Sequence, residues 1–536
     1  MKALPVTILL MLCNSLQADE RSDLACDIFD EKLDAKLKVK ISLSRELFKT
    51  NKLNFGFNIE LGQIAGANGN YSSKIISQLV TKINPNALRY PGGTTANYFD
   101  WANEKLNEKY VLKYANQHIN TLLKRLKKKN DGKVPSASLE SYSTLVSRHN
   151  IQPFVVLNVF EPNKAVMKAI DKVKAAINKP IHWELGNEVA YRAYQKRIKL
   201  QSGLPWGKEV YLKKIIAISK YIKAKYPSDK IGVVASEMAE LRNPKTTSTW
   251  RVESRRKVWD EVIASANHYF DAVIVHPYIF AGDNFVSNVE IQCLNNSPEQ
   301  KIKYRSWIMS NIANLPSLYL RRLGDRYPGK EIWMTEFGIM DPGGIEIDLK
   351  LQKQTGFRVL SSAANYVSWL SKYPNVTSLL THGMFVGYDW THAVFPDFSY
   401  TANGIAFKYI QEYLDGIDMI APVSFIGHQE IRGVDSFEDM TMQTIYSVAG
   451  YDKKTDTQSL LIINVANHEV DLMLPWRAYS MASKSFGWEE GIKPGDYTDL
   501  NSFDRKIIKQ DKINIMPRSI VIVKSRHVQS ETAESK

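Results

Sequence analysis

The chain has 536 residues, 44% of them hydrophobic, with 70 Lys and Arg against 56 Asp and Glu, a formal charge of +14. That length and apolar content allow a sizeable core and more than one domain. Three cysteines do not suggest a metal cluster, and the basic balance comes without a helix-turn-helix, zinc finger or aromatic RNA-binding motif, which excludes a nucleic-acid partner.

In chain order, residues 1–18 read as a secretory signal: Lys2, an apolar run from Ala3 to Leu12, then Ser15-Leu16-Gln17-Ala18 before Asp19-Glu20. The run is about half of the ~20 residues a membrane span needs, so no stable insertion is expected. Leu10-Met11-Leu12 before Cys13 lacks the small residue that lipoprotein processing favours, so a secreted or periplasmic chain is expected rather than a lipid-anchored one. Cys26 and Cys293 remain, either as one bridge or as two free thiols. The alternating run Leu37–Leu43, within an N-terminal segment 19–52, is expected to give a strand to a later sheet.

From residue 53 to 414 apolar runs alternate with amphipathic stretches. The strand candidates are Leu53–Ile59, Ala87–Tyr90, Phe154–Asn158, Ile181–Leu185, Ile231–Ala235, Ala272–Val275, Glu331–Thr335 and Ser378–Phe385. Helix-like segments such as Tyr71–Ile83, Leu139–His149, Lys164–Ile177, Val210–Lys225 and Leu351–Lys372 lie between them. Eight strands alternating with helices predict an α/β fold, a (β/α)8 TIM barrel. The cluster Lys124-Arg125-Leu126-Lys127-Lys128-Lys129 reads as a solvated helix face, or as a surface that concentrates an anionic polymer. From 415 to 525 the helical period disappears. Met440–Val448, Ser459–Val465, Val470–Leu474, Ser480–Ser485 and Lys512–Val523 are β-rich runs between turn-formers, as in an antiparallel β-sandwich. Residues 526–536 are expected to form a disordered tail.

A parallel barrel gathers the C-terminal ends of its strands on one face, so residues distant in sequence converge there. Strand two ends in Arg89-Tyr90-Pro91-Gly92-Gly93, strand four in Gly186-Asn187-Glu188, strand six in His276-Pro277-Tyr278 and strand seven in Glu336. Strand eight leads into Gly387-Tyr388-Asp389-Trp390. Taken alone, Asn187-Glu188 is a helix cap with a first-turn acid, His276 a core histidine, and Gly92-Gly93 a tight turn. Two strand-tip glutamates together are what glycoside hydrolysis needs, one to hold a proton for the leaving oxygen and one to attack the sugar carbon. Glu184 reads as a barrel or structural carboxylate, and Glu237 and Glu240 follow strand five.

These motifs resemble the retaining glycoside hydrolases of clan A. Phe55-Gly56-Phe57-Asn58-Ile59-Glu60, Arg89-Tyr90-Pro91-Gly92-Gly93 and the tail Ile515-Met516-Pro517-Arg518-Ser519-Ile520-Val521-Ile522 are similar to its arabinofuranosidase and heparanase (family 79) branches. The resemblance implies Glu188 as acid/base and Glu336 as nucleophile, with no cofactor or metal. Arg89 and Tyr278 would hold Glu336 charged and aimed, and Asn187 would bond the sugar 2-hydroxyl, with His276 beside them. A Gly-Gly pair after the nucleophile and a Tyr after strand eight, here Gly343-Gly344 and Tyr388, would hold a uronate carboxylate. Backbone amides at such a turn can form an anion nest. Val189 stands where heparanase-like chains usually have Pro. Trp390 and Trp101 are candidates to stack on a sugar face, or core residues.

The expected substrate is therefore an acidic or sulfated glycan or polysaccharide. The alternatives are a neutral-sugar glycosidase of the same clan, arabinofuranosidase or agarase-like, and a non-catalytic glycan-binding barrel. A polysaccharide lyase would need a base and a uronate neutraliser rather than two opposed carboxylates.

Overall fold

The structure is a computed structural model. It describes residues 37–44, 47–50, 53–59, 70–115, 117–191, 205–236, 257–280, 323–340, 356–373, 375–381, 399–426, 444–466, 468–487 and 502–525, with a few isolated positions between them. The signal segment, Cys13, Cys26, Cys293, Glu60, Glu237, Glu240, Gly343, Gly344, Tyr388, Trp390 and the tail 526–536 lie outside the described residues.

Eight parallel strands close into a barrel: Asn54–Asn58, Ala87–Tyr90, Gln152–Val156, His182–Leu185, Lys230–Val234, Ala272–Val275, Glu331–Met334 and Val376–Thr381. These are the eight runs expected from the sequence, within a residue or two at most ends. They were legible because a parallel strand is buried on both faces and so reads as a nearly unbroken apolar run. The barrel interior is filled by alternating small and large residues. Ala87, Phe154, Ala272, Ile274, Trp333 and Leu380 form one cluster. Gly232 is required here, since a Cβ on it would lie 2.6 Å from the Trp333 ring.

The helices are held by ordinary local chemistry. Lys74–Ile83 starts where the Ser73 hydroxyl accepts from the Ile76 amide, and it buries Ile76, Leu79, Val80 and Ile83, one stripe of a 3.6-residue period. The basic cluster lies on helix Gln117–Lys129, which buries Ile119, Leu123 and Leu126 and leaves Lys124, Arg125, Lys128 and Lys129 exposed. Among the described residues, no helix is long and apolar enough to cross a membrane.

The second domain is a predominantly antiparallel sheet that curls on itself. Leu37–Leu43 pairs antiparallel with Met419–Ile426 and parallel with the start of Val470–Ser485. Ile445–Asp452, Thr457–Asn464 and Ser519–Ser525 complete the circuit, and Asp504–Ile515 pairs outside it. Three expectations need correction. Val470–Leu474 and Ser480–Ser485 are one 16-residue strand, irregular between Met473 and Ala478 where Pro475 cannot donate to a ladder. Lys512–Val523 is two strands, split at Arg518, whose φ of 50° makes the turn. The run expected as Met440–Val448 is two strands, the short Thr441–Met442, which pairs with Ile431–Arg432, and Ile445–Asp452.

Period-two burial then separates two cores. Val39, Ile41, Leu460, Ile462, Leu472, Ile513, Val521 and Val523 pack inside the sheet domain. Their neighbours Leu461, Ile463, Ile520 and Ile522 belong to the main core with the barrel helices. Each such side chain is worth about 2 kcal/mol relative to exposure, so the two strands Thr457–Asn464 and Ser519–Ser525 are anchored on both faces. Tyr413, on the last barrel helix Ala402–Leu414, donates to Val448 O at 3.2 Å and ties the two domains together.

Candidate active site

At the C-terminal mouth of the barrel, alternation turns Asn58, Arg89 and Glu184 inward from the first, second and fourth strands. Arg89 is fully buried. Its Nε and Nη2 donate to the two oxygens of Glu184 at 2.8 and 2.9 Å, a bidentate fork. Nη1 reaches Glu336 Oε1 at 2.7 Å and Asn58 Oδ1 at 3.1 Å, and Nη2 also reaches Asn187 Oδ1 at 2.8 Å. Burial by itself would ease the proton off this guanidinium. The charges of Glu184 and Glu336 and their hydrogen bonds outweigh it, leaving the Arg89 pKa above its ordinary value. A buried cation of this kind persists only because its partners are in place.

The fourth strand ends at Leu185, and the chain turns sharply. Gly186 takes φ 91°, where a Cβ would lie 2.6 Å from Val189 Cγ1 and 2.8 Å from Val159 Cγ2. Glu188 itself sits in the left-handed region at φ 48°, a strained conformation for a glutamate of the sort found where function demands it. Asn187 is locked from both sides, its N–H donating to Asn97 Oδ1 at 3.1 Å and its C=O accepting from Asn97 Nδ2 at 2.6 Å. With Oδ1 held by Arg89, the buried Asn187 Nδ2 has no hydrogen-bond partner among the described residues.

His276 follows the sixth strand. Its Nδ1 lies 3.2 Å from Glu188 Oε1 and 3.8 Å from Glu336 Oε2. On the other side, Nε2 lies 3.1 Å from Thr335 Oγ1, and that hydroxyl donates to Glu184 Oε2 at 3.2 Å. The Glu188 side chain is 13% exposed and Glu336 5%, so Glu188 is the one nearer the solvent. One oxygen of each carboxylate and one His276 ring nitrogen all lie within 4.8 Å of one another.

Five of the residues singled out in the sequence therefore meet: Arg89, Asn187, Glu188, His276 and Glu336. Tyr278 begins a short strand, Tyr278–Phe280, that pairs with Gly338–Met340 just beyond Glu336; its side chain lies outside the described set. Trp101 packs edge-on against Tyr90 and Phe99 at 5.7 and 5.1 Å and is a core residue. Asn58, Asn97 and Thr335 were not anticipated. Asn58 and Thr335 carried a usable signal, a polar side chain at an inward-facing strand end; Asn97 lies in a short 3-10 turn and carried none.

Chemically, one carboxylate is pinned to a cation, and the other faces an imidazole and is nearer the solvent. The Glu188, His276 and Glu336 atoms could also surround a metal ion, but Arg89 already places a fixed positive charge 2.7 Å from Glu336 Oε1. The trio therefore suits proton and group transfer better than it suits a cation.

No protein-family model matches the sequence, and no curated protein matches it. Similarity appears among solved structures. The family 51 arabinofuranosidase of Xanthomonas axonopodis pv. citri superposes with a TM-score of 0.61 at 12% identity, over 91% of this chain and 100% of that one. The α-L-arabinofuranosidase of Thermotoga maritima gives 0.62 at 11%, over 91% and 99%. A family 44 xyloglucanase of Paenibacillus polymyxa gives 0.54 at 12%, over 91% and 99%. At such identities the likeness is one of fold: the chain has the barrel and β-sandwich architecture of these clan A glycoside hydrolases.

Proposed function

We propose that this protein is a retaining glycoside hydrolase. The observation that carries the reading is the spacing and unequal surroundings of Glu188 and Glu336. An inverting pair needs roughly 6.5–9.5 Å between its carboxyl groups to admit a water, and a retaining pair about 5–5.5 Å. Oxygens within 4.8 Å fall on the retaining side.

Glu336, held ionised by Arg89, attacks the anomeric carbon as the glycosidic bond breaks, while Glu188 gives its proton to the leaving oxygen. Glu188 then takes a proton from water, which displaces Glu336 and frees the sugar with its original configuration. The unpartnered Asn187 Nδ2 is placed to donate to a sugar hydroxyl, a bond that strengthens in the transition state.

The test is the anomeric configuration of the first-formed product, followed by NMR, together with Glu188→Ala. The variant should lose ~10²–10⁴-fold on substrates with poor leaving groups and far less on activated aryl glycosides. Inverted product, or a variant equally active on both, would dismiss the mechanism.

For the sugar, a neutral glycan is supported by the fold neighbours, named for arabinofuranosides and xyloglucan. An acidic or sulfated glycan, as heparanase-like enzymes cleave, is favoured by one specific observation, the exposed Lys124, Arg125, Lys128 and Lys129 of helix Gln117–Lys129. Activity on a polyanion steered by that face falls with salt far more than activity on a small aryl glycoside. Reducing-end assays on neutral and anionic polysaccharides at two ionic strengths separate the two. Export of the chain is part of the same proposal, and amino-terminal sequencing of the secreted protein would test cleavage after Ala18.

A further inference from the structure

The hydrogen bonds behind the two carboxylates have a determined direction, because they begin at a group that can only donate and continue through one that can only accept. Arg89 gives three N–H bonds to Glu184, Glu336 and Asn187 from its Nη atoms, and a fourth to Glu184 from Nε. Both Glu184 oxygens thus already accept, and a carboxylate in that position has no hydrogen to give. The Thr335 hydroxyl lies 3.2 Å from Glu184 Oε2 and must spend its single proton there. Its remaining contact, 3.1 Å to His276 Nε2, can then only be an accepted bond, so Nε2 carries a hydrogen. In neutral imidazole that leaves Nδ1 as a lone pair, 3.2 Å from Glu188 Oε1.

We propose that Thr335 is a positioning residue that fixes the His276 tautomer, so that Nδ1 and Glu188 share the one proton delivered to the leaving group. This rests on the reading of Glu188 as the acid. The proton has two resting places, as Glu188–COOH facing Nδ1, or as Nδ1–H⁺ facing the Glu188 carboxylate. It leaves Glu188 for the glycosidic oxygen in the first step and returns from water in the second, so the balance closes without another reactant. Among the described residues, the charged and titratable groups around the imidazole are Glu188, Glu336 at 3.8 Å, and Glu184 with Arg89 behind Thr335. With the opposite tautomer, Nδ1–H would donate to Glu188 Oε1, and the acid would have to carry its proton on Oε2, with no share in it for the imidazole.

The experiment compares Thr335→Val, which removes the hydroxyl at nearly constant shape, with Thr335→Ser, which keeps it, and with Thr335→Ala should Val fail to fold. Histidine-selective ¹⁵N NMR of the free protein, with the His276 signal assigned by its loss in His276→Asn, reports the tautomer directly. Wild type and Ser should hold hydrogen on Nε2, while Val or Ala should shift population to Nδ1. In parallel, kcat on a poor-leaving-group glycoside should fall about tenfold in Val and recover to within about twofold in Ser, with KM little changed and the pH profile displaced only in Val. His276 unchanged in Val, or Ser as impaired as Val, would overturn the proposal. The NMR needs no substrate, so a wild type inactive on every glycoside removes the catalytic half of the proposal separately from the tautomer half.

Discussion

Glu331 opens the seventh barrel strand at the N-terminal end, and Glu336 follows its C-terminal end; both face a cation. Glu331 is matched throughout: Lys230 donates to one oxygen, and Trp333 Nε1 and Thr377 Oγ1 donate to the other, each at 2.9 Å. One carboxylate meets one ammonium. At the other end, among the described residues, one guanidinium serves Glu184 and Glu336 while Glu188 stands beyond it, and a buried amide donor, Asn187 Nδ2, is left over. Charge alone is thus no mark of function in this barrel. What separates the two ends, among the described residues, is imbalance: more negative groups than cations and a buried donor left over, both of which a substrate could resolve.

The largest effect is expected at the unbalanced end. Glu336→Ala should reduce turnover ~10⁴-fold or more with the fold intact, as judged by circular dichroism; near-normal rates would end the assignment of a nucleophile. Next comes Arg89→Leu, which strands Glu184 and Glu336 as buried anions. It should destabilise the protein by about 3–5 kcal/mol in urea titrations as well as abolish activity. A stable but inactive Arg89→Leu would show that the network is less dry than its burial indicates.

At the N-terminal end, opening the fourth strand beside Lys230, His182 packs at a tilt against Phe154 and Trp333, with burial pulling its pKa down to about 3. The folded protein keeps this ring neutral, whereas the unfolded chain protonates it near the usual 6.5. The unfolded state therefore binds more protons below that value, and stability falls as pH drops from about 6.5 towards 3. His182→Gln should flatten the dependence over that window in urea titrations; an unchanged slope would assign it to other groups. The smallest effect is expected at the balanced end. Lys230 and hydrogen bonds hold the Glu331 pKa low against a burial penalty, so its contribution is present above the ordinary Glu value and lost on acidification. Glu331→Gln should cost about 1 kcal/mol or less and leave kcat untouched. A large loss of activity there would erase the contrast between the ends.

Much of this was legible beforehand, for physical reasons that differ from part to part. Barrel strands such as Ala272–Val275 announce themselves because both faces are buried. Strand-tip residues Arg89, Glu188 and Glu336 follow from the rule that a parallel barrel gathers those tips. The use of Glu184 did not follow. A glutamate two places before Gly186 reads as structural, and only the three-dimensional fork with Arg89 shows that it orients the whole group. Asn97 was invisible because its contact, to the Asn187 backbone, crosses 90 residues of chain with no periodic signal. In the sheet domain, the break at Met473–Ala478 looked like two strands because a bend and a turn share the same residues. Gly343, Gly344, Tyr388 and Trp390 lie outside the described residues, and no periodic pattern in the sequence speaks for them.

The pairing of Leu37–Leu43 has a consequence for synthesis on the ribosome. Among the described strands this one emerges first, yet both of its partners, Met419–Ile426 and the start of Val470–Ser485, come after the entire barrel. At ordinary elongation rates it waits on the order of a minute with two open edges and an apolar face. The exposed Lys40 puts a charge on this strand, which disfavours pairing with other chains during that interval. The barrel can be complete before the second domain exists, and Ser519–Ser525, the last of the described strands, closes a ring that Leu37–Leu43 began.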